Sequence, residues 1–326
     1  MSDEILNDDA PEDAPHASID GLRSGFAAIV GQPNVGKSTL MNSILGVKVA
    51  ITTNKPQTTR NRILGVKTFP GKGQVAFLDT PGIHHSKKRI NRAIVRAATE
   101  TFEEVDIILH IVDARACVAI FERTGTPIDE DEELVLGELQ KVDVPRYLVL
   151  NKIDLVEQKI ALLPVIEALT ERSDYVEVIP TSALTGENAE TLIDVILQGL
   201  PEGMPLFPDD MITDQAERFI AAEFIREQVM LKTKKEIPYS VAVEVENFED
   251  VPRKDLIRIS AVIHVERSSQ KGIIIGSKGA RLKEIGTAAR AQMEQLFGKK
   301  VFLETFVRVQ EGWSEDPRSL QRFGYE

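Results

Sequence analysis

Short apolar runs alternate with longer stretches of helical periodicity from residue 25 to about residue 200. The runs fall at 26–30, 62–68, 74–78, 107–112, 146–150 and 175–179. Between most of them apolar side chains return at three- and four-residue intervals, as in Leu40, Met41, Ile44 and Leu45, the spacing of one buried helix face. This alternation predicts an α/β domain over 24–200, with a mainly parallel sheet, helices on both faces, and ligands gathered at the carboxyl ends of the strands.

After residue 200 the pattern changes. The stretch 200–210 holds three prolines and a glycine, so no regular element can run through it, and it predicts a linker over 201–212. Beyond it, Ala216, Phe219, Ile220, Phe224 and Leu231 mark one side of a helix, followed by alternating apolar positions over 240–247 and a strand over 256–266. A short apolar segment with a glycine turn, a helix carrying Leu282, Ile285, Ala289, Met293 and Leu296, and a strand over 301–309 complete an α-β-β-α-α-β order. The unit over 213–326 is therefore predicted to be α+β.

Composition adds three constraints. The chain has 326 residues, 42% of them hydrophobic, enough for two cores. Its single cysteine, Cys117, excludes an internal disulfide, suits a reducing compartment and reads as a small, partly buried apolar residue. The start, Met1-Ser-Asp-Glu-Ile, lacks a basic region and an apolar core, and no run of eighteen apolar residues occurs; the expectation is a cytoplasmic protein, at most peripheral on a membrane. The net charge of −12 argues at first against a polyanionic partner, but residues 1–20 alone carry seven acids and no Lys or Arg, reading as a disordered tail over 1–23. Residues 253–300 carry eleven Lys/Arg against four Asp/Glu, a local +7 that marks a basic working surface. Between 113 and 134 the connection looks long, as a surface insertion would, and its acids at 129–133 suit the first turn of the next helix better than a metal site.

Four motifs stand at predicted strand ends. Gly31-Gln32-Pro33-Asn34-Val35-Gly36-Lys37-Ser38 has the G-x-x-x-x-G-K-[ST] spacing, in which a glycine-rich turn between strand and helix lets backbone N–H groups surround phosphate oxygens. Asp79-Thr80-Pro81-Gly82 offers a carboxylate that can hold Mg²⁺ through water and an N–H, at Gly82, for a terminal phosphate. In Asn151-Lys152-Ile153-Asp154 the carboxylate of Asp154 can accept both the ring N–H and the exocyclic amine of guanine, donors that adenine lacks. Ser182-Ala183-Leu184 can offer the Ala183 N–H to the guanine carbonyl. Singly, the last three read equally well as strand-end turns.

In this order the motifs resemble the guanine-nucleotide-binding domain of the translation-factor class of P-loop GTPases. The resemblance implies GTP/GDP and Mg²⁺ as ligands, with Lys37 on the β- and γ-phosphates, Ser38 and a switch threonine on the metal, Asp79 in its shell, and Asn151 and Asp154 on the base. Gly31, Asn34, Val35, Gly36, Thr39 and Gly82 complete the implied phosphate contacts; Lys152, Ser182 and Ala183 complete those around the base. The switch threonine comes from Pro56-Gln-Thr-Thr-Arg60; Thr59 is favoured and Thr58 is the rival. Where many signalling GTPases carry a glutamine that orients the attacking water, this chain has Ile83. The resemblance is to a subgroup with an apolar residue there, and some of its members that share the asparagine at the position of Asn34 use K⁺, which implies K⁺-assisted slow hydrolysis. Asn34 then joins Lys37 and Thr59 as a candidate catalytic residue, with loop shaping as its alternative. His84 and His85 can also be read as water-positioning groups, or simply as loop histidines.

The segment Gly272-Ile-Ile-Ile-Gly-Ser-Lys-Gly279 resembles the GXXG loop of a KH domain, and the element order matches the type II form. Lys271, Gly276, Ser277, Lys278, Gly279, Arg281, Lys283 and Arg290 are its candidate RNA contacts; a tight helix–helix turn is the alternative. A GTPase domain with this Ile, a proline-rich linker and a C-terminal KH domain is the organisation of the Era family, and the match extends to 57–60, 265–272, 298–304 and Trp313. Membership implies binding near the 3′ end of small-subunit ribosomal RNA, action on the 30S precursor during maturation, a mostly monomeric protein and loose association with the inner membrane face. Two other readings stay open: a membrane-attached switch whose KH fold serves protein contacts only, and an ATP-dependent P-loop enzyme in which Asp154 plays no part.

Overall fold

The computed structural model describes residues 21–55, 58–85, 101–234, 237 and 240–325. The acidic stretch 1–20 and Gln57 lie outside the described residues. In the first part, β1 (Arg23–Val30), α1 (Lys37–Leu45), β2 (Ile63–Phe69), β3 (Gly73–Asp79) and β4 (Ile107–Asp113) are followed by α2 (Ala114–Thr124) and α3 (Glu130–Leu139). Then come β5 (Arg146–Asn151), α4 (Leu162–Thr170), β6 (Glu177–Pro180) and α5 (Ala189–Gly199). The strands form one sheet in the order β2-β3-β1-β4-β5-β6, parallel except for β2, which pairs antiparallel with β3.

Period-two alternation in a strand sends neighbours to opposite faces, and here both faces are buried. Ala27 and Ile29 of β1 pack with Leu40 and Met41 of α1 and Ile196 of α5, whereas Ala28 and Val30 pack with Val135 and Leu139 of α3. The phosphate loop thus leaves the sheet at its centre, where β1 lies between β3 and β4.

The second part contains α6 (Glu217–Lys232), β7 (Val241–Val251), β8 (Leu256–Val265), α7 (Ser268–Ile275), α8 (Ala280–Phe297), β9 (Lys300–Val309) and α9 (Pro317–Arg322). Its sheet has the order β7-β8-β9, with β7–β8 antiparallel and β8–β9 parallel. Ile285, Ala289 and Met293, four residues apart along α8, meet Phe224 and Val229 of α6 and the inward side chains of β8 in one core. The other sheet face carries a smaller cluster of Trp313, Leu320 and Tyr325 over Ala242.

Three features differ from the sequence reading, and a fourth agrees with it. The 113–134 connection is mostly helix: Asp113 caps α2 by accepting the Ala116 N–H at 3.0 Å, Gly125 ends it with φ 78°, and Ala114 and Cys117 enter the core. The triple isoleucine before the glycine turn lies in helix α7, as the α-β-β-α-α-β order requires. Strand β6 begins at Glu177, since Tyr175 instead turns its hydroxyl to His110 Nδ1 at 2.7 Å. Finally, segment 201–212 is docked along the sheet edge: Gln74 Oε1 accepts the N–H groups of Leu206 and Phe207, both at 2.8 Å, and Ile212 O accepts the Val66 N–H at 2.7 Å. Covering the outer strands in this way satisfies backbone groups that a free tether would leave open.

Candidate nucleotide and RNA sites

The phosphate loop connects β1 to α1. Asn34 and Gly36 both take positive φ, 66° and 103°, and a Cβ at position 36 would stand 2.3 Å from Asn151 Nδ2, so only glycine fits. No side chain caps α1, which leaves its first N–H groups for a ligand anion. They border a cleft of about 310 Å³ lined by Asn34, Gly36, Lys37, Ser38, Thr39 and Gly82. The Val35 side chain is buried in the core beneath the loop. Lys37 Nζ donates to the carbonyls of Gly31 at 3.0 Å and Gln32 at 2.7 Å. Burial pushes its pKa down to about 8, against the opposing pull of Asp79 and Glu132; a phosphate beside it would favour the charged form.

Three oxygen-bearing side chains from different elements converge next to Lys37. Ser38 Oγ donates to Asp79 Oδ2 at 2.5 Å and stands 2.8 Å from Thr59 Oγ1, which lies 3.5 Å from the same carboxylate oxygen. Asp79 Oδ1 is buried without a hydrogen-bond partner, and burial raises the carboxyl to about pKa 6 despite Ser38, Lys37 and Thr59. An all-oxygen set with one orphaned acceptor fits a hard divalent cation such as Mg²⁺. The Thr58 hydroxyl turns the other way, 2.6 Å from Thr53 Oγ1 and 2.7 Å from Lys55 O. Of the two threonines, therefore, it is Thr59 that faces Ser38 and Asp79.

On the base side, Asn151 is 1% exposed and joins two loops. Its Nδ2 donates to Val35 O at 2.8 Å and its Oδ1 accepts the Ala183 N–H at 2.9 Å. This N–H, expected to face the guanine carbonyl, instead holds Asn151 in place. Ser182 is buried, and its Oγ accepts the Thr185 N–H at 3.2 Å, shaping the turn. Lys152, at φ 64°, sends Nζ to Asn34 O and Asp113 Oδ2, both at 2.6 Å; Asp113 was not singled out in the sequence. Asp154 lies exposed in the short turn Ile153–Leu155.

Ile83 has no access to solvent and packs with Val30, Phe102 and Ile108. It is a core residue, so the place of the usual glutamine is filled by packing. His85 takes its backbone and ring contacts from Asp131, and His84 Nδ1 lies 3.1 Å from Gly82 O. Most of the acidic run has partners: Asp129 caps α3 and holds Gln32, Glu132 lies 2.8 Å from buried His110, and Glu133 forms a two-pronged pair with Arg172. Among the described residues, no cluster of three or more His, Cys, Asp or Glu side chains could hold a metal.

In the second part, Gly276 (φ 69°), Lys278 (φ 48°) and Gly279 (φ 80°) turn the chain from α7 into α8. A Cβ on Gly276 would approach Arg281 Cβ to 2.8 Å, whereas one on Gly279 would meet nothing within 4 Å. The close approach is thus at Gly276; Gly279 opens onto a groove of about 530 Å³ shared with Lys283, Thr287, Arg290 and Phe302. Ser277 and Lys278 are exposed at the tip, and Lys271 is half-buried on α7. Arg281 spends one donor on Ile273 O at 2.5 Å, closing the end of α7. Phe302 and Phe306, 52% and 54% exposed, were missed, although their signal was present: they occupy the outward phase of a strand whose inward phase is Val301, Leu303 and Val307. An exposed aromatic beside a basic groove suits base stacking.

The comparisons agree with this geometry. The 50S ribosome-binding GTPase family matches residues 26–152, and the KH domain family matches residues 236–314. GTPase Era of Syntrophus aciditrophicus (strain SB) is 52% identical over 304 residues, covering 93% of this chain and 95% of that protein. The chain belongs to the Era family. GTPase Era of Stenotrophomonas maltophilia (strain K279a) is 46% identical over 316 residues, 97% of this chain and 99% of its own. Two solved Era structures, one an Aquifex aeolicus Era variant bound to GDP and AlF4⁻, the other Era with MgGDPNP and nucleotides 1506–1542 of 16S ribosomal RNA, each superpose with a TM-score of 0.86 at 41% identity. Each superposition covers 93% of this chain and 99% of the other. Among the described residues no helix is long and apolar enough to cross a membrane.

Proposed function

We infer that this Era-family chain is a GTP-hydrolysing switch that binds small-subunit ribosomal RNA near its 3′ end through the KH domain and assists maturation of the small subunit. The observation that carries the reading is the convergence of Ser38, Thr59 and Asp79 beside Lys37. A switch-loop hydroxyl that meets the metal-binding side chains gives the nucleotide a means to order the loop. The RNA target rests on the Era–16S RNA complex and on the groove between α8 and β9.

In this reading Lys37 draws charge from the β- and γ-phosphates, and Ser38 and Thr59 hold Mg²⁺ with Asp79 behind them. Bound Mg²⁺ neutralises the charge that develops on the phosphates. Gly82 N–H faces the terminal phosphate, and Asp154 reads the guanine edge while Asn151 and Lys152 brace the two loops beneath it. With Ile83 buried, its position supplies no amide to the attacking water, which is consistent with slow turnover. Exposed Asn34 borders the cleft and is proposed as a K⁺ ligand; faster hydrolysis in KCl than in NaCl is expected, and equal rates would remove that role. Units 24–200, 201–212 and 213–326 are proposed as switch, docked connector and RNA grip.

The test of the reading is binding of an RNA containing the 3′-terminal small-subunit sequence to the full chain, against a scrambled RNA. Selective binding that Gly279→Asp removes is expected; equal binding of both RNAs would sink the assignment.

A further inference from the structure

The second domain holds the switch loop at several points. Glu227 of α6 accepts the Thr52 N–H and Lys48 Nζ, both at 2.7 Å. Lys55 Nζ reaches the carbonyls of Met230 and Thr233 at the end of the same helix, where unsatisfied carbonyls favour a cation. Arg60 donates to Val241 O at 2.9 Å and stacks on the Tyr325 ring. In the midst of these contacts Thr59 turns inward, toward Ser38 and Asp79.

Arg226 meets the backbone immediately before Thr59. It is fully buried, and Glu223, one turn earlier, takes Nε at 2.7 Å and Nη2 at 2.5 Å. The planar guanidinium is thereby fixed in orientation, and Nη2 also donates to Thr58 O at 2.5 Å. That carbonyl belongs to the peptide bond joining Thr58 to Thr59. Because the peptide unit is planar, fixing its oxygen restricts the direction in which the Thr59 side chain leaves the backbone.

We propose that Arg226, oriented by Glu223, is a positioning residue for GTP hydrolysis: by holding the Thr58 carbonyl it aims the Thr59 hydroxyl at the metal position, so that a helix of the RNA-binding domain completes the hydrolytic site. The proposal rests on the reading of Thr59 as a metal ligand. Arg226 does not line the nucleotide cleft, and its effect runs through one peptide bond.

The test compares the full-length wild type with Arg226→Ala, Arg226→Lys, Thr59→Ala and the Arg226→Ala/Thr59→Ala double variant. The readouts are kcat, the Mg²⁺ concentration for half-maximal hydrolysis, and affinity for a fluorescent GDP. Arg226→Ala is expected to lower kcat by about 10-fold or more and to raise the Mg²⁺ requirement, in the range typical when an outer partner of a metal ligand is lost, with GDP affinity unchanged. Arg226→Lys, which keeps one donor within reach of Thr58 O, recovers part of the loss. The double variant should be no worse than Thr59→Ala alone. Wild-type kcat and Mg²⁺ dependence in Arg226→Ala, or losses that add in the double variant, would overturn the proposal while leaving Thr59 in place. If Thr59→Ala itself hydrolyses normally, the metal-ligand reading fails and this proposal with it. Should Arg226→Ala not fold, Arg226→Gln decides by the same readouts.

Discussion

Asn151 ties Val35 to Ala183: its amide donates to one carbonyl at 2.8 Å and accepts from the other residue's N–H at 2.9 Å. The phosphate loop and the base loop therefore share one buried side chain. Asn151→Asp keeps the acceptor but turns the Val35 donor into a second oxygen facing a carbonyl. A buried group left unsatisfied costs about 1–3 kcal/mol, so GDP and GTP are both expected to bind about 5- to 150-fold more weakly. Equilibrium titration with fluorescent nucleotides checks this, and the two nucleotides should lose affinity alike.

Asp154 should decide the base rather than the affinity for phosphates. Asp154→Asn removes a charged acceptor from two guanine donors, and at about 1.5–3 kcal/mol for each hydrogen bond to a charged group the loss for GDP is roughly 100-fold or more. A xanthine nucleotide, which presents a carbonyl where guanine has its amine, should regain binding to the variant. Competition assays with GDP, XDP and ADP read the outcome, and effective competition by ADP in the wild type would return the ATP-dependent reading.

Much of this site is legible in the sequence because each motif fixes a backbone shape as well as a side chain. Gly36, Lys37 and Asp79 declare themselves by spacing, and the central strands by unbroken apolar runs. What escapes the sequence is partnership across distance. Nothing local says that the Ala183 N–H will hold Asn151, that Asp113 will take Lys152, or that Arg226 will reach Thr58 O from 168 residues away. The helix Ala114–Thr124 was hidden by the Gly-Thr-Pro that follows it, although Ala114, Cys117, Val118 and Phe121 have helical spacing on its buried side. Docking of segment 201–212 was hidden because it rests on backbone partners such as Val66 and on Gln74, a polar side chain whose 1% exposure no pattern reveals.

Installing the glutamine of other GTPases at position 83 should not speed hydrolysis here. Ile83 sits in the core with no exposure, and a buried amide without partners costs about 1–3 kcal/mol. Ile83→Gln is expected to unfold at lower urea by that amount with kcat not raised.

The KH sheet carries a pH-dependent element. His264 is buried, its Nε2 lies 3.2 Å from Glu244 Oε2, and the Phe323 ring packs at 4.7 Å between centroids. Burial holds the imidazole below its ordinary range, against the pull of Glu244, with Arg322 and Arg308 adding to the depression. The unfolded chain therefore takes up the proton first, so stability falls as pH drops through about 6.5 and levels off below the native value. Thermal melts between pH 7.5 and 5 should show this decline, and His264→Gln should flatten its share of the slope.

The central claim is that nucleotide state governs the RNA grip. Its direct test is the affinity of the full chain for the 3′-terminal small-subunit RNA, measured with a non-hydrolysable GTP analogue and with GDP at equal Mg²⁺ and salt. Tighter binding is expected in the analogue state, a difference that Thr59→Ala abolishes. Equal affinity in the two states of the wild type would contradict it.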